Sequence, residues 1–129
     1  MKGTRQMKYA AVSLLFFLAS CGPFVPVDDL TGVNPANLEV AREMPIFEVG
    51  NPPEAEHTAI QIIEAWSCKN VLWDPPATQD DALLKLKYKA FQLEADAIKE
   101  VSYATPGEHP LSTNCWEFFR AGGIAIRFD

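Results

Sequence analysis

A single helical pattern set between runs of β-forming residues confines this chain to a small α+β fold. Residues 60–68 are rich in β-branched and aromatic side chains with few polar interruptions, which predicts a strand central in a sheet. Asp74-Pro75-Pro76 ends it. Thr78 then has Asp81 three positions on, a variant of the capping box, and Leu83, Leu86, Ala90 and Leu93 recur at helical spacing. Asp81, Lys85 and Lys89 step along the outer face of that helix at i, i+4. Residues 97–103 read as a second strand entered directly from the helix. After the loop around Pro106-Gly107, residues 115–119 and 124–128 form the terminal strand region, with a bend or bulge marked by Gly122-Gly123. The order is strand, helix, strand, strand: one small domain over residues 60–129, a helix laid on a short sheet.

The residues before this domain have a different character. Residues 22–59 hold Pro23, Pro26, Pro35, Pro45, Pro52 and Pro53, with Gly22, Gly32 and Gly50 among them, and predict a proline-rich tether without regular structure. Such a chain rises about 3.1 Å per residue when extended, giving a reach on the order of 100 Å. Residues 46–49 break the pattern as an edge strand or a docking segment. Further upstream, Lys2, Arg5 and Lys8 precede an apolar run at residues 9–18 that is too short to span a bilayer. Leu18-Ala19-Ser20-Cys21 closes that run, and the arrangement resembles the lipobox of bacterial lipoprotein precursors. The resemblance implies a signal peptide at residues 1–20 and covalent lipid on Cys21, with no other cofactor. It also implies lasting attachment, because each buried methylene adds about 0.8 kcal/mol and several acyl chains are present. Gly22 stands where the lipoprotein pattern reads aspartate as an inner-membrane retention signal, so the expected location is the outer membrane, with the domain in the periplasm.

Loss of the leader leaves 109 of the 129 residues, and 8 of the 11 basic residues against all 17 acidic ones, a net charge of −9. Nucleic acid is not an expected partner of so acidic a chain. Of Cys21, Cys68 and Cys115, the first is assigned to lipid; the remaining pair, in an oxidising compartment, is expected to form a disulfide. A Cys2His2 zinc site made with His57 and His109 is the rival use of those thiols, but neither C-x-x-C nor H-x-x-x-H spacing is present. The expectation is therefore no metal, with both histidines solvated.

No serine, thiol, histidine and carboxylate stand in a recognisable catalytic spacing, so the expected function is non-enzymatic. Asp28-Asp29 and Asp80-Asp81 are explained by solvation and by the dipole at a helix start. Trp66, Trp73, Trp116, Phe118 and Phe119 belong mostly to the core, and one or two of them left exposed would mark a binding face. Lys85, Lys87, Lys89 and Lys99 are the one basic patch, either a solvated helix face or a partner-docking site.

Four segments carry a wider resemblance: Trp66-Ser67-Cys68-Lys69, residues 82–90 (ALLKLKYKA), residues 93–98 (LEADAI) and Asn114-Cys115-Trp116. Together they are similar to the small domain of the outer-membrane sensor lipoprotein of the Rcs phosphorelay, the RcsF family, over roughly residues 60–128. The resemblance implies a periplasmic signalling domain stapled by two disulfides. Its implied role is to pass envelope damage to an inner-membrane signalling protein and to associate with outer-membrane barrels. Cys68 and Cys115 match one family disulfide; Tyr103 and Ala121 occupy the places of the other, and Glu94 replaces the glycine that usually follows the helix. The expected function is binding of envelope proteins in envelope-stress signalling, and the alternative is a structural or assembly accessory of an envelope complex.

Overall fold

The computed structural model describes residues 29–69, 72–104, 115 and 117–129. The lipobox, Cys21, His109 and Trp116 lie outside the described residues. Six elements follow one another: α1 (Pro35–Arg42), β1 (Ile46–Glu48), β2 (His57–Lys69), α2 (Gln79–Gln92), β3 (Ala97–Ala104) and β4 (Glu117–Phe128). The strands form one sheet in the order β1-β3-β4-β2, with β1 parallel to β3 and β4 antiparallel to both its neighbours. β2 and β3 are therefore parallel, joined by α2 as a crossover, and β4 is inserted between them.

The α+β class and the helix on the sheet are as the sequence predicts. The tether and the strand order are corrected. First, the proline-rich segment before residue 60 is not all tether, because α1 and β1 lie in it. Pro35 occupies the first turn of α1, where its missing N–H has no intrahelical partner to lose, and Asn34 caps the helix by accepting from the Ala36 N–H at 2.9 Å. Ala41 and Met44 are buried, and Met44 joins the core cluster. Second, β2 is an edge strand, and β4 lies inside the sheet between β3 and β2. The apolar run of β2 is divided: Ile63 and Ala65 face the helix, while Trp66 packs on Phe118 on the other face with ring centroids 5.6 Å apart. β4 can lie there because Ala121 and Ala125 let the helix close down on the sheet.

α2 starts where its cap predicts, with the Thr78 side chain accepting from the Asp81 N–H at 3.1 Å. Its buried stripe is Ala82, Leu86 and Ala90, packed over Ile63, Ala65, Ile98, Val101, Ala121 and Ala125. Lys85 departs from the outer face assigned to it, and is buried with its ammonium 2.7 Å from Asp81. The helix ends in a Schellman turn: the Ala95 N–H donates to the Ala90 carbonyl and the Glu94 N–H to the Phe91 carbonyl, both at 3.0 Å. Glu94 holds the left-handed position of this turn, at φ 55°. A side chain there costs about 1 kcal/mol relative to glycine. Glu94→Gly should therefore raise stability by about 0.5–1 kcal/mol, net of the extra freedom glycine gives the unfolded chain. A urea midpoint that falls in this variant would show that the turn carries no such strain.

Gly122-Gly123 does not break β4, which runs through both residues in unbroken register with β2. The irregularity lies opposite, on β3 between Lys99 and Ser102, where Glu100 also adopts a positive φ of 53°. Gly123 makes room for it: a Cβ at this position would lie 2.7 Å from Ile98 Cγ2 and 3.0 Å from the Lys99 carbonyl oxygen.

Candidate interaction surface

The end of the sheet at which β2 stops is held from three sides. Cys68 and Cys115 form a disulfide with Cα atoms 5.4 Å apart, tying the end of β2 to the segment before β4. The buried Ser67 hydroxyl accepts from the Thr78 N–H at 3.1 Å, which fixes the start of α2 against the same strand. The Lys85–Asp81 ion pair sits in the first turns of that helix. On the way from β2 to α2, Leu72 is 73% exposed and Trp73 84% exposed, whereas Ala77 is buried. An open cleft of about 990 Å³ lies beside the loop, lined among others by Leu30, Leu38, Pro75, Leu84 and Lys85. Asp29, at its rim, is held below the ordinary carboxylate range by hydrogen bonds from Thr31, first its backbone N–H and then its hydroxyl, both at 2.8 Å.

The expected basic patch is not one surface. Lys85 is buried in its ion pair with Asp81. The Lys87 ammonium donates to the Arg42 carbonyl at 2.8 Å, where it ties α2 to the last turn of α1, and burial lowers its pKa from the usual lysine value. Lys89 donates to the Glu64 carbonyl at 2.7 Å. Lys99 lies on the other side of the sheet: its neighbour Ile98 packs under α2, while Lys99 pairs across with Ile124 and reaches His57 Nε2 at 3.1 Å. An ammonium can only donate, so that contact makes Nε2 the acceptor and leaves Nδ1 to donate to the Ala55 carbonyl at 2.9 Å.

Among the described aromatic candidates, Trp66 and Phe118 are buried, Phe119 is half-buried, and Trp73 is exposed. Leu72, its exposed neighbour, is a residue that pattern reading passes over, because a lone leucine in a loop has no periodicity to betray it. Arg120 likewise has no local pattern that marks it. It is held between two β2 residues, donating from Nε to Glu64 Oε2 at 2.7 Å and lying 5.9 Å from the centre of the Trp66 ring.

Tyr103 and Ala121 face each other directly across β3 and β4. Val101 turns its carbonyl to β1, where it accepts from the Val49 N–H at 3.4 Å, so Ser102 faces β4 and Tyr103–Ala121 is the narrower type of cross-strand pair. Burial raises the Tyr103 phenol above its usual pKa, with the Glu48 and Asp80 carboxylates adding to the shift.

No family model and no curated protein matches the chain. Among solved structures, it is similar to a protein of unknown function of the DUF74 family from Pediococcus pentosaceus, at 26% identity and a TM-score of 0.50. The likeness covers 67% of this chain and 98% of that one, and it concerns the fold.

Proposed function

We propose that this protein is a non-enzymatic outer-membrane lipoprotein, anchored through lipid on Cys21, whose periplasmic domain binds envelope proteins in stress signalling of the Rcs kind. The observation that carries the binding role is the exposed Leu72-Trp73 pair on a loop braced at one end by the disulfide and at the other by the capped start of α2. Large apolar side chains presented on a braced loop lose little conformational entropy on binding, and tryptophan is among the residues that most often dominate interface energy. Location in an oxidising compartment is supported by the disulfide, and the lipobox supplies the anchor.

The test is crosslinking in living envelopes, with and without envelope damage, comparing the native chain with Trp73→Ala. An interface residue worth about 2 kcal/mol changes affinity roughly 30-fold, so partner capture should fall sharply while the disulfide and membrane fraction stay unchanged. Equal capture by both forms would remove the loop from the interface. Capture that is lost in the variant but indifferent to damage in the native chain would favour the assembly-accessory role over signalling.

A further inference from the structure

We propose that Leu72 and Trp73 dock in the headgroup region of the membrane that holds the Cys21 lipid, so that the lipid surface and a protein partner are alternative occupants of one site. This deepens the reading given above, and it rests on that reading's lipid at Cys21.

The length of chain between anchor and domain sets the first condition. Eight positions separate Cys21 from Asp29, the first described residue. Even fully extended, such a link spans only about 28 Å, less than the roughly 40 Å thickness of a bilayer with its headgroups. The domain is thus confined to the membrane surface, without the longer reach that a tether through residue 59 would give it. Asp29 also fixes which side of the domain lies nearest the lipid. It lines the same cleft as Asp74 and Pro75, the residues that follow Trp73. The chain therefore enters the domain beside the exposed pair, and the anchor draws that side toward the membrane.

The chemistry of the pair meets the second condition. Leu72 and Trp73 are adjacent and both largely exposed. An indole suits the boundary between headgroups and acyl chains, because its ring leaves water there while its N–H keeps a polar partner. Leucine beside it adds apolar area. The stem that follows is already fixed, with Ala77 buried and the Thr78 N–H held by the Ser67 hydroxyl, so docking orders little of the chain.

Charge decides the kind of lipid surface. After loss of the leader the chain carries a net charge of −9, and Asp29 and Asp74 stand beside the exposed pair. An anionic surface repels such a domain within a Debye length, about 8 Å at physiological salt. The attraction is therefore apolar, and the surface that suits it is zwitterionic. Two apolar side chains hold a membrane weakly by themselves, and the short link offsets this by raising their local concentration to about the millimolar range.

The experiment uses the lipidated protein purified from membranes, with acylation of Cys21 verified by mass spectrometry, in vesicles of phosphatidylcholine brominated on the upper acyl carbons. Bromine quenches an indole that touches it, and the signal is the emission that Trp73 contributes, native minus Trp73→Phe. That emission should fall by about half or more in the vesicles. Leu72→Glu places a charge among the headgroups and should restore most of it, with the disulfide and thermal midpoint near native. Lengthening the link by about twenty glycine and serine residues after Pro23 lowers the local concentration about sixfold, and should weaken the quenching. Brominated phosphatidylglycerol in place of about a third of the lipid should weaken it as well at low salt. Acylated protein whose Trp73 emission is unquenched overturns the proposal and leaves the lipoprotein reading standing, whereas an unacylated Cys21 removes both. Quenching that is indifferent to Leu72→Glu or to the longer link, or that grows with phosphatidylglycerol, also overturns it. If Trp73→Ala loses capture of an envelope protein while the vesicles give no quenching, the site belongs to a protein alone and the proposal falls.

Discussion

Replacement of Cys68 or Cys115 by serine should lower the stability of the domain by about 4 kcal/mol, the largest effect expected of any conservative change in the chain. The two cysteines are 47 positions apart, and chain-entropy reasoning for a loop of that length gives this magnitude. The closed loop contains α2 and β3, two of the six elements, so the bridge restricts the helix and an inner strand in the unfolded chain. A small domain holds a total margin of about 5–15 kcal/mol, and a loss of this size leaves it near the folding threshold. Urea unfolding of the oxidised protein, the reduced protein and each serine variant measures the effect. The three altered forms should share one low midpoint, because each breaks the same bond, and the double variant should add nothing further. A midpoint equal to that of the oxidised protein in any of them would show that the bridge is not what holds the end of β2 to β4.

Leu86→Ala should cost about 3 kcal/mol. Leu86 is 0% exposed and sits in the middle of the buried stripe of α2. Its neighbours along that stripe, Ala82 and Ala90, are too short to fill the space it would vacate, and Ala121 and Ala125 lie on an inner strand of the sheet it packs against. The cavity therefore stays open, which places the variant well within the 2–5 kcal/mol range of such truncations. Val40→Ala, on the exposed side of α1, is the control and should change stability by less than about 0.5 kcal/mol. Thermal unfolding of the two variants separates the cases. Similar losses would mean that α1 shares the load of the core, and a negligible loss at Leu86 would mean that the helix and sheet close over the gap.

Much of this was legible from local chemistry. Thr78 and Asp81 mark the start of α2 because a hydroxyl three residues before an N–H can reach it, and it does so at 3.1 Å. Glu94, at the position where glycine is easiest, does take the left-handed conformation that the position demands. The exposed tryptophan was anticipated as a class of feature, but its identity as Trp73 was not: Trp66 and Trp73 look alike in sequence, and only packing against Phe118 separates the buried ring from the exposed one. Asn34-Pro35 is a readable cap and first-turn pair that the surrounding prolines mask, and residues 46–48 become a strand through the backbone of β3, with Ile46 opposite Ile98.

By itself, then, the sequence determined the α+β class, the start and end of α2, and the cysteines available for a staple, since each depends on residues a few positions apart or on simple counting. The tertiary structure alone decided that β4 is an inner strand and β2 an edge, that the glycine pair accommodates a bulge on β3, and that the four lysines are dispersed. Strand order is set by which distant segments pair, and the hydrophobic period specifies only which face of a strand is buried. A lysine's role is set by the acceptor within its reach, as when Lys89 finds the Glu64 carbonyl 25 residues away in the chain, a partner that no local pattern encodes.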